Sequence, residues 1–174
     1  CGLLDPHSDL CDDLLAQLQP LLVSNPALRQ RIVYFQPGRN DYLIPFNVLR
    51  TPGEPYVVAQ NVLEAMRRAW PESLREAPHF SNIVLASLLL LIEQRLTLIE
   101  LPRLLTEPEY RQALLSRSQN PEVLRFFQER FDRWGRERAT MIESVLNKAG
   151  AFTINPRLKT IIGSQANGLN LRQI

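Results

Sequence analysis

The chain has 174 residues, 45% of them hydrophobic, and a formal net charge of +2, enough for one core with room for a small satellite and no need of cross-links. Its only cysteines, Cys1 and Cys11, and its only histidines, His7 and His79, lack metal-ligand spacing, which argues against a structural zinc site or any other metal centre and fits a reducing, cytoplasmic setting. The longest apolar run, Ile83 to Ile92, is broken by Ser87 and too short to cross a bilayer, and no charged-then-apolar leader opens the chain; the expectation is a soluble piece, with any membrane anchor outside it.

Cys1 to Leu4 is a short apolar run halted by Asp5-Pro6, the pattern of a buried strand entering a loop. A strand needs a sheet to pair with, so a chain opening on one is expected to come from something larger. Ser8 is a plausible N-cap for a helix with Leu10, Leu14, Leu15, Leu18 and Leu22 on one face and Asp9, Asp12 and Asp13 in its first turn. Beyond Asn25-Pro26, the β-branched and aromatic run Arg31 to Phe35 predicts a second strand, ended by the turn cluster Gln36 to Asn40. Strand, helix and strand make a crossover of the α/β kind. Tyr42 to Leu49 reads as an extended connector and Thr51-Pro52-Gly53 as a boundary.

From Glu54 the pattern turns helical, with helices expected at about 54–69, 79–95, 97–105, 107–118, 121–132, 134–148 and 156–162. Thr106-Glu107-Pro108 and Asn120-Pro121-Glu122 have the form of capped starts with proline in the first turn. The closing segment 169–174 alternates as if entering another strand. The fold class is therefore mainly α: a multi-helix domain over residues 51–165, with short flanking strands from an α/β core at 1–50 and a return towards that core at 166–174.

Charge is unevenly distributed. Residues 1–50 carry net −1, residues 51–109 net −3 and residues 110–174 net +6, and nine of the eleven cations in the last segment are arginine, the side chain suited to bidentate phosphate contacts. Within it, Phe126, Phe127, Phe131 and Trp134 interleave with Arg125, Arg130, Arg133, Arg136 and Arg138. A nucleic-acid surface with stacking aromatics has this pattern. An amphipathic helix pair with the aromatics in its core and the arginines in solvent, Glu129 and Glu137 serving as surface partners, has it too and is the better account of the aromatics.

A triphosphate cradle requires Gly-x-x-x-x-Gly-Lys-Ser/Thr, and none of the seven glycines precedes a lysine. Leu88 to Ile92 followed by Glu93 is not a strand ending in a magnesium-binding acid, because it is leucine-rich and runs on into Gln94-Arg95 without a turn; a buried helix is expected. Asp5-Pro6-His7-Ser8-Asp9 concentrates two carboxylates, an imidazole and a hydroxyl. Adjacent residues seldom converge on one reacting atom and no nucleophile elbow is present, so a hydrolase using His7, Ser8 and Asp9 is the remote reading; capping by Ser8 and Asp9, with Asp5 ending the strand, is favoured.

Leu4-Asp5-Pro6-His7-Ser8-Asp9-Leu10, Ile32-Val33-Tyr34-Phe35 and Pro45-Phe46-Asn47-Val48-Leu49, with looser agreement at Asp132-Arg133-Trp134, Ser144 to Lys148, Phe152 and Asn155 to Leu158, together resemble the HerA/FtsK superfamily of ring-forming DNA-pumping ATPases. Within it the resemblance is to the TraG/TraD-like conjugative coupling proteins of type IV secretion. It implies a stretch between Walker A and Walker B, with residues 1–50 part of a RecA-like nucleotide-binding core and the helical region corresponding to the all-alpha domain. It further implies a parent ATPase, a DNA translocase using ATP and Mg2+ and assembling as a hexameric ring. The implied partners are single- or double-stranded DNA, relaxosome proteins or secreted substrate proteins, and the implied location is the cytoplasmic side of the bacterial inner membrane. Asp9 takes the place of the acid that polarises the attacking water in the parent protein, with Asp5 and His7 towards the nucleotide. Arg125, Arg130, Arg133, Arg136 and Arg138 are the expected DNA contacts. The alternative is a protein-docking module of the same motor that does not touch DNA, and no ATPase activity is expected of these residues alone.

Overall fold

The structure, a computed structural model, describes residues 2–7, 9–38, 41–74 and 79–168, and only the backbone of 73 and 74. The chain divides into two units, residues 1–36 with 169–174, and residues 37–168. The expected Ser8 cap, the turn residues Arg39 and Asn40 and the expected strand at 169–174 lie outside the described residues.

In the first unit, α1 (Asp9–Ser24) is the predicted amphipathic helix, with Pro20 inside it. Asp5 caps it, rather than simply ending a strand: one carboxylate oxygen accepts the His7 amide at 3.0 Å and the other accepts the first-turn Cys11 amide at 3.0 Å. A short α2 (Pro26–Arg29) follows, and Arg29 Nε donates back to the Leu22 carbonyl at 2.7 Å, covering an acceptor at the end of α1. The two expected strands do not form among the described residues; 2–5 and 32–36 have no regular secondary structure. The physical reason is the one that made the opening strand call for a sheet: a strand's backbone groups need a neighbouring ladder. Residues 32–36 are instead tied to α1 by the Tyr34 hydroxyl, 2.8 Å from Asp12 Oδ1. None of α1's side chains is fully buried. Leu15, Leu18 and Leu22 are half-buried, while the adjoining stripe of Leu10, Leu14 and Leu21 is exposed.

The second unit is built around α5 (Phe80–Glu93), where Phe80, Ile83, Val84, Leu88, Leu90 and Leu91 are buried. A helix apolar on nearly all sides has to be enclosed, and α3 (Pro55–Ala69), α6 (Leu101–Thr106), α8 (Pro121–Arg125) and α9 (Arg138–Thr153) pack around it. α3 starts where Glu54 accepts the Tyr56 and Val57 amides, and it buries Val58, Ala59, Leu63 and Met66. A one-turn α4 (Pro71–Leu74), absent from the sequence expectation, follows after the chain breaks from helix at Trp70. α5 closes with Leu96 N donating to Leu91 O at 2.8 Å and Arg95 N to Ile92 O at 3.0 Å, a Schellman pair with Arg95 at φ 55°.

The helix expected at 97–105 is a 3-10 turn, Leu98–Glu100, running into α6. Thr97 and Glu100 form a capping box there. α7 (Pro108–Leu115) and α10 (Pro156–Ile162) start close to their predicted positions, but the side-chain cap expected at Thr106-Glu107-Pro108 does not form: Glu107 makes no capping hydrogen bond and its carboxylate accepts from Arg103 Nε at 2.7 Å. The connector 45–49 is pinned at several points: Phe46 N to Ile161 O at 2.9 Å, Gly168 N to Pro45 O at 2.8 Å, and Leu49 N to the buried Asn47 Oδ1 at 3.0 Å. No helix among the described residues is long and apolar enough to cross a membrane.

Candidate functional site

The arginine-rich segment is positioned by α8. Asn120 Oδ1 accepts the Glu122 and Val123 amides at 3.1 and 3.3 Å, fixing the helix start that the sequence signals. The helix then widens into a π turn, Phe126–Arg130, closed by Phe131 N on the Phe126 carbonyl. The i→i+5 register brings Phe131 round to the inward side occupied by Phe126 and Phe127, and all three are buried. A 3-10 stretch, Phe131–Glu137, follows, and the chain breaks direction at Gly135 (φ 55°, ψ −123°) before α9. The sequence suggested two helices meeting at 132–134; the break instead falls at Gly135, and the second helix starts at Arg138 rather than at 134, because the 3-10 stretch occupies Phe131–Glu137.

The aromatics form one cluster, with Phe126–Phe127 at 5.2 Å and Phe127–Phe131 at 5.3 Å edge to face and Phe131–Trp134 tilted at 5.4 Å between ring centroids. They are core residues and do not form a base-stacking platform. The arginines separate into two groups. Arg125 pairs with Glu122 at 3.1 Å on the surface, and Arg138 reaches Asp132 at 3.5 Å, with its side chain 30% exposed. Arg130, Arg133 and Arg136 are exposed and, among the described residues, have no carboxylate partner. Arg130 lies 5.9 Å from the Phe126 ring centroid. Arg125 and Arg130 also rim a groove of about 200 Å³ between α5 and the π turn, with Leu85, Leu89, Val123 and Phe126 in its lining.

One ionic centre here was missed by the sequence reading. Arg111, 1% exposed, donates to the Leu104 and Leu105 carbonyls at 3.1 and 3.3 Å and to Asp132 Oδ1 at 2.8 Å, with the Phe131 ring 5.0 Å from its guanidinium carbon. Gln112 Nε2 donates to the second Asp132 oxygen at 3.2 Å. The guanidinium thus covers carbonyls at the end of α6 and fastens α7 to the segment that carries the exposed arginines. A usable signal existed: Arg111, Leu114 and Leu115 share an i, i+3, i+4 stripe, which places a cation on the apolar face of α7. The partner, 21 residues further on, had no local signal.

In the first unit, Asp5 has both oxygens on backbone amides, His7 is exposed, and Asp9 is exposed with no hydrogen bond or ion pair among the described residues. The nearby Cys11 thiol is pushed up from its ordinary range, first by desolvation and then by the Asp5 and Asp12 carboxylates. These residues do not by themselves fit a nucleotide: Asp5 already serves helix amides, and no glycine-lysine loop supplies a phosphate cradle. Among the described residues no group of three His, Cys, Asp or Glu side chains gathers as a metal-ligand set.

Comparison with known proteins adds no assignment: no protein-family model, curated protein or solved structure matches the chain.

Proposed function

We propose that the helical unit engages DNA within a DNA-translocating ATPase of the conjugative, type IV secretion kind, with Arg130, Arg133 and Arg136 as its phosphate contacts. The observation that carries this reading is the exposure of these three guanidiniums within residues 130–136, with no ion pair to a carboxylate among the described residues. Phosphate contacts by such side chains give affinity without sequence preference, as a translocating motor requires. Arg125 is a secondary contact, and Arg138 serves the turn through Asp132. In this reading residues 1–36 belong to the motor's RecA-like core, whose sheet would cover the bare Leu10, Leu14 and Leu21 stripe of α1. Asp9, exposed and uncommitted in the first turn, is the acid for the hydrolysis step of the whole motor, with Asp5 holding the loop. ATP and Mg2+ would be held mainly by residues beyond those described.

Anisotropy titrations of labelled single- and double-stranded DNA at two salt concentrations test the proposal. Affinity should fall steeply with salt. Replacing Arg130, Arg133 and Arg136 together with glutamine should make the log–log slope shallower by about 2 if all three touch phosphates of single strands. Absent or salt-independent binding by the unaltered chain would sink the reading. The apolar lining of the α5 groove favours a second reading, docking of a relaxosome or substrate protein. That reading gains if the triple variant leaves DNA transport by the whole motor unchanged.

A further inference from the structure

Away from this turn, Arg50 and Arg95 line one open groove of about 350 Å³ together with Leu49, Thr51, Ile92 and Leu96, and none of the lining residues is acidic. The two cations arrive from different parts of the chain. Arg50 ends the 3-10 turn Val48–Arg50, and one of its guanidinium N–H groups donates to the Gln165 carbonyl, which anchors the side chain and leaves its remaining donors available. Arg95 occupies the left-handed position after α5, at φ 55°, where glycine or asparagine sits with least strain. Its side chain is exposed and makes no hydrogen bond or ion pair among the described residues.

The α5 dipole gives one reason for a cation near this end. It explains neither the choice of a strained arginine over an unstrained residue nor the second arginine in the same groove. Two like charges lining one groove and a left-handed side-chain residue both disfavour the groove as it stands, and an anion bound in the groove would offset the repulsion. The C-terminal end of α5 by itself disfavours an anion, and the two guanidiniums must outweigh it; the Leu91 and Ile92 carbonyls there are already bonded to Leu96 N and Arg95 N.

We propose that the Arg50–Arg95 groove is a binding site for a phosphoryl group. A tetrahedral oxyanion presents oxygens in several directions and can meet two planar guanidinium forks arriving from separate segments, where a planar carboxylate offers a single edge. Free phosphate and the phosphodiester of a strand share this chemistry. The inference does not depend on the DNA reading of the Arg130–Arg136 turn.

The test is a titration of the full 174-residue chain with inorganic phosphate in chloride buffer, following the arginine Nε–H signals by NMR. It is repeated with Arg95→Gly, Arg50→Gln and the triple glutamine variant at 130, 133 and 136. Saturable shifts of the Arg50 and Arg95 signals are expected, with the phosphate Kd raised at least about tenfold in each groove variant and unchanged in the triple variant. Arg95→Gly should melt higher than the parent chain without phosphate, because it relieves the left-handed strain, so its weaker binding cannot be attributed to unfolding. Arg50→Gln is matched to the parent by its far-ultraviolet circular dichroism. An oligothymidylate that displaces phosphate would assign the site to a strand backbone, and one that does not would assign it to free phosphate; both results keep the site. No saturation at tens of millimolar phosphate, or an unchanged affinity in either groove variant, overturns it.

Discussion

Truncating Asp132 to alanine should destabilise the helical unit out of proportion to the partial exposure of that side chain. The Arg111 guanidinium it faces is 1% exposed, and its other partners are the neutral Leu104 and Leu105 carbonyls and the Phe131 ring. Removing the carboxylate strands a full charge in the interior, a change that costs about 3–5 kcal/mol when one partner of a buried pair is lost. Asp132 is 25% exposed, so water can approach the vacated space, which argues for the lower end, about 3 kcal/mol. For a chain of this size that is a fall in Tm of roughly 9 °C. The Arg138 contact adds little, being long and partly exposed. Urea unfolding followed by circular dichroism measures the effect, and a double-mutant cycle identifies its origin. Arg111→Met removes the charge at the expense of two carbonyl bonds, about 1 kcal/mol each. Asp132→Ala in that background should then be nearly neutral, giving a coupling of about 2 kcal/mol or more. An Asp132→Ala loss under about 1 kcal/mol, or an additive cycle, would refute the assignment of Arg111 as a buried, charge-paired clamp.

Two further predictions rest on single groups. Ser87 is wholly buried and its hydroxyl has no hydrogen-bond partner among the described residues, so Ser87→Ala should raise stability by about 1 kcal/mol through relief of desolvation and better helix propensity; calorimetry that found a loss would mean the hydroxyl is bonded after all. With Cys1 replaced by serine, Cys11 should alkylate with a pH midpoint above that of the same chain in urea, because desolvation and the Asp5 and Asp12 carboxylates disfavour its thiolate in the folded state, and equal midpoints would contradict this.

Among the residues proposed for function, the sequence and the structure contributed differently. The arginines at 130, 133 and 136 were visible as an excess of cations over acids, and their exposure follows from the aromatics between them occupying the interior. That Arg138 and Arg111 are committed to Asp132 was not visible, since the carboxylate contacts cations 6 and 21 residues away in sequence. The Arg50–Arg95 groove was also invisible. Arg50 stands beside a turn boundary and Arg95 continues a helical pattern, and neither position signals that the two share a surface.

Helix starts were legible because they are written locally. Glu54, Asn120 and Asn155 each precede a proline and place a side-chain oxygen on the following amides, and the leucine-rich α5 had to be buried whatever surrounded it. The two expected strands did not form, because an apolar run at the start of the chain and a β-branched, aromatic run at 31–35 both fit a strand but cannot supply the neighbour that a ladder needs; for the described residues 2–5 and 32–36 no ladder is present. The sequence by itself therefore determined a mainly helical chain, several of its helix starts and an arginine-rich C-terminal part. Only the tertiary structure decided which arginines are neutralised, which converge on a groove, and where the helix register shifts through a π turn to bury three phenylalanines. Those outcomes depend on contacts between residues far apart in sequence, whose energies come from burial and charge pairing and leave no mark on local periodicity.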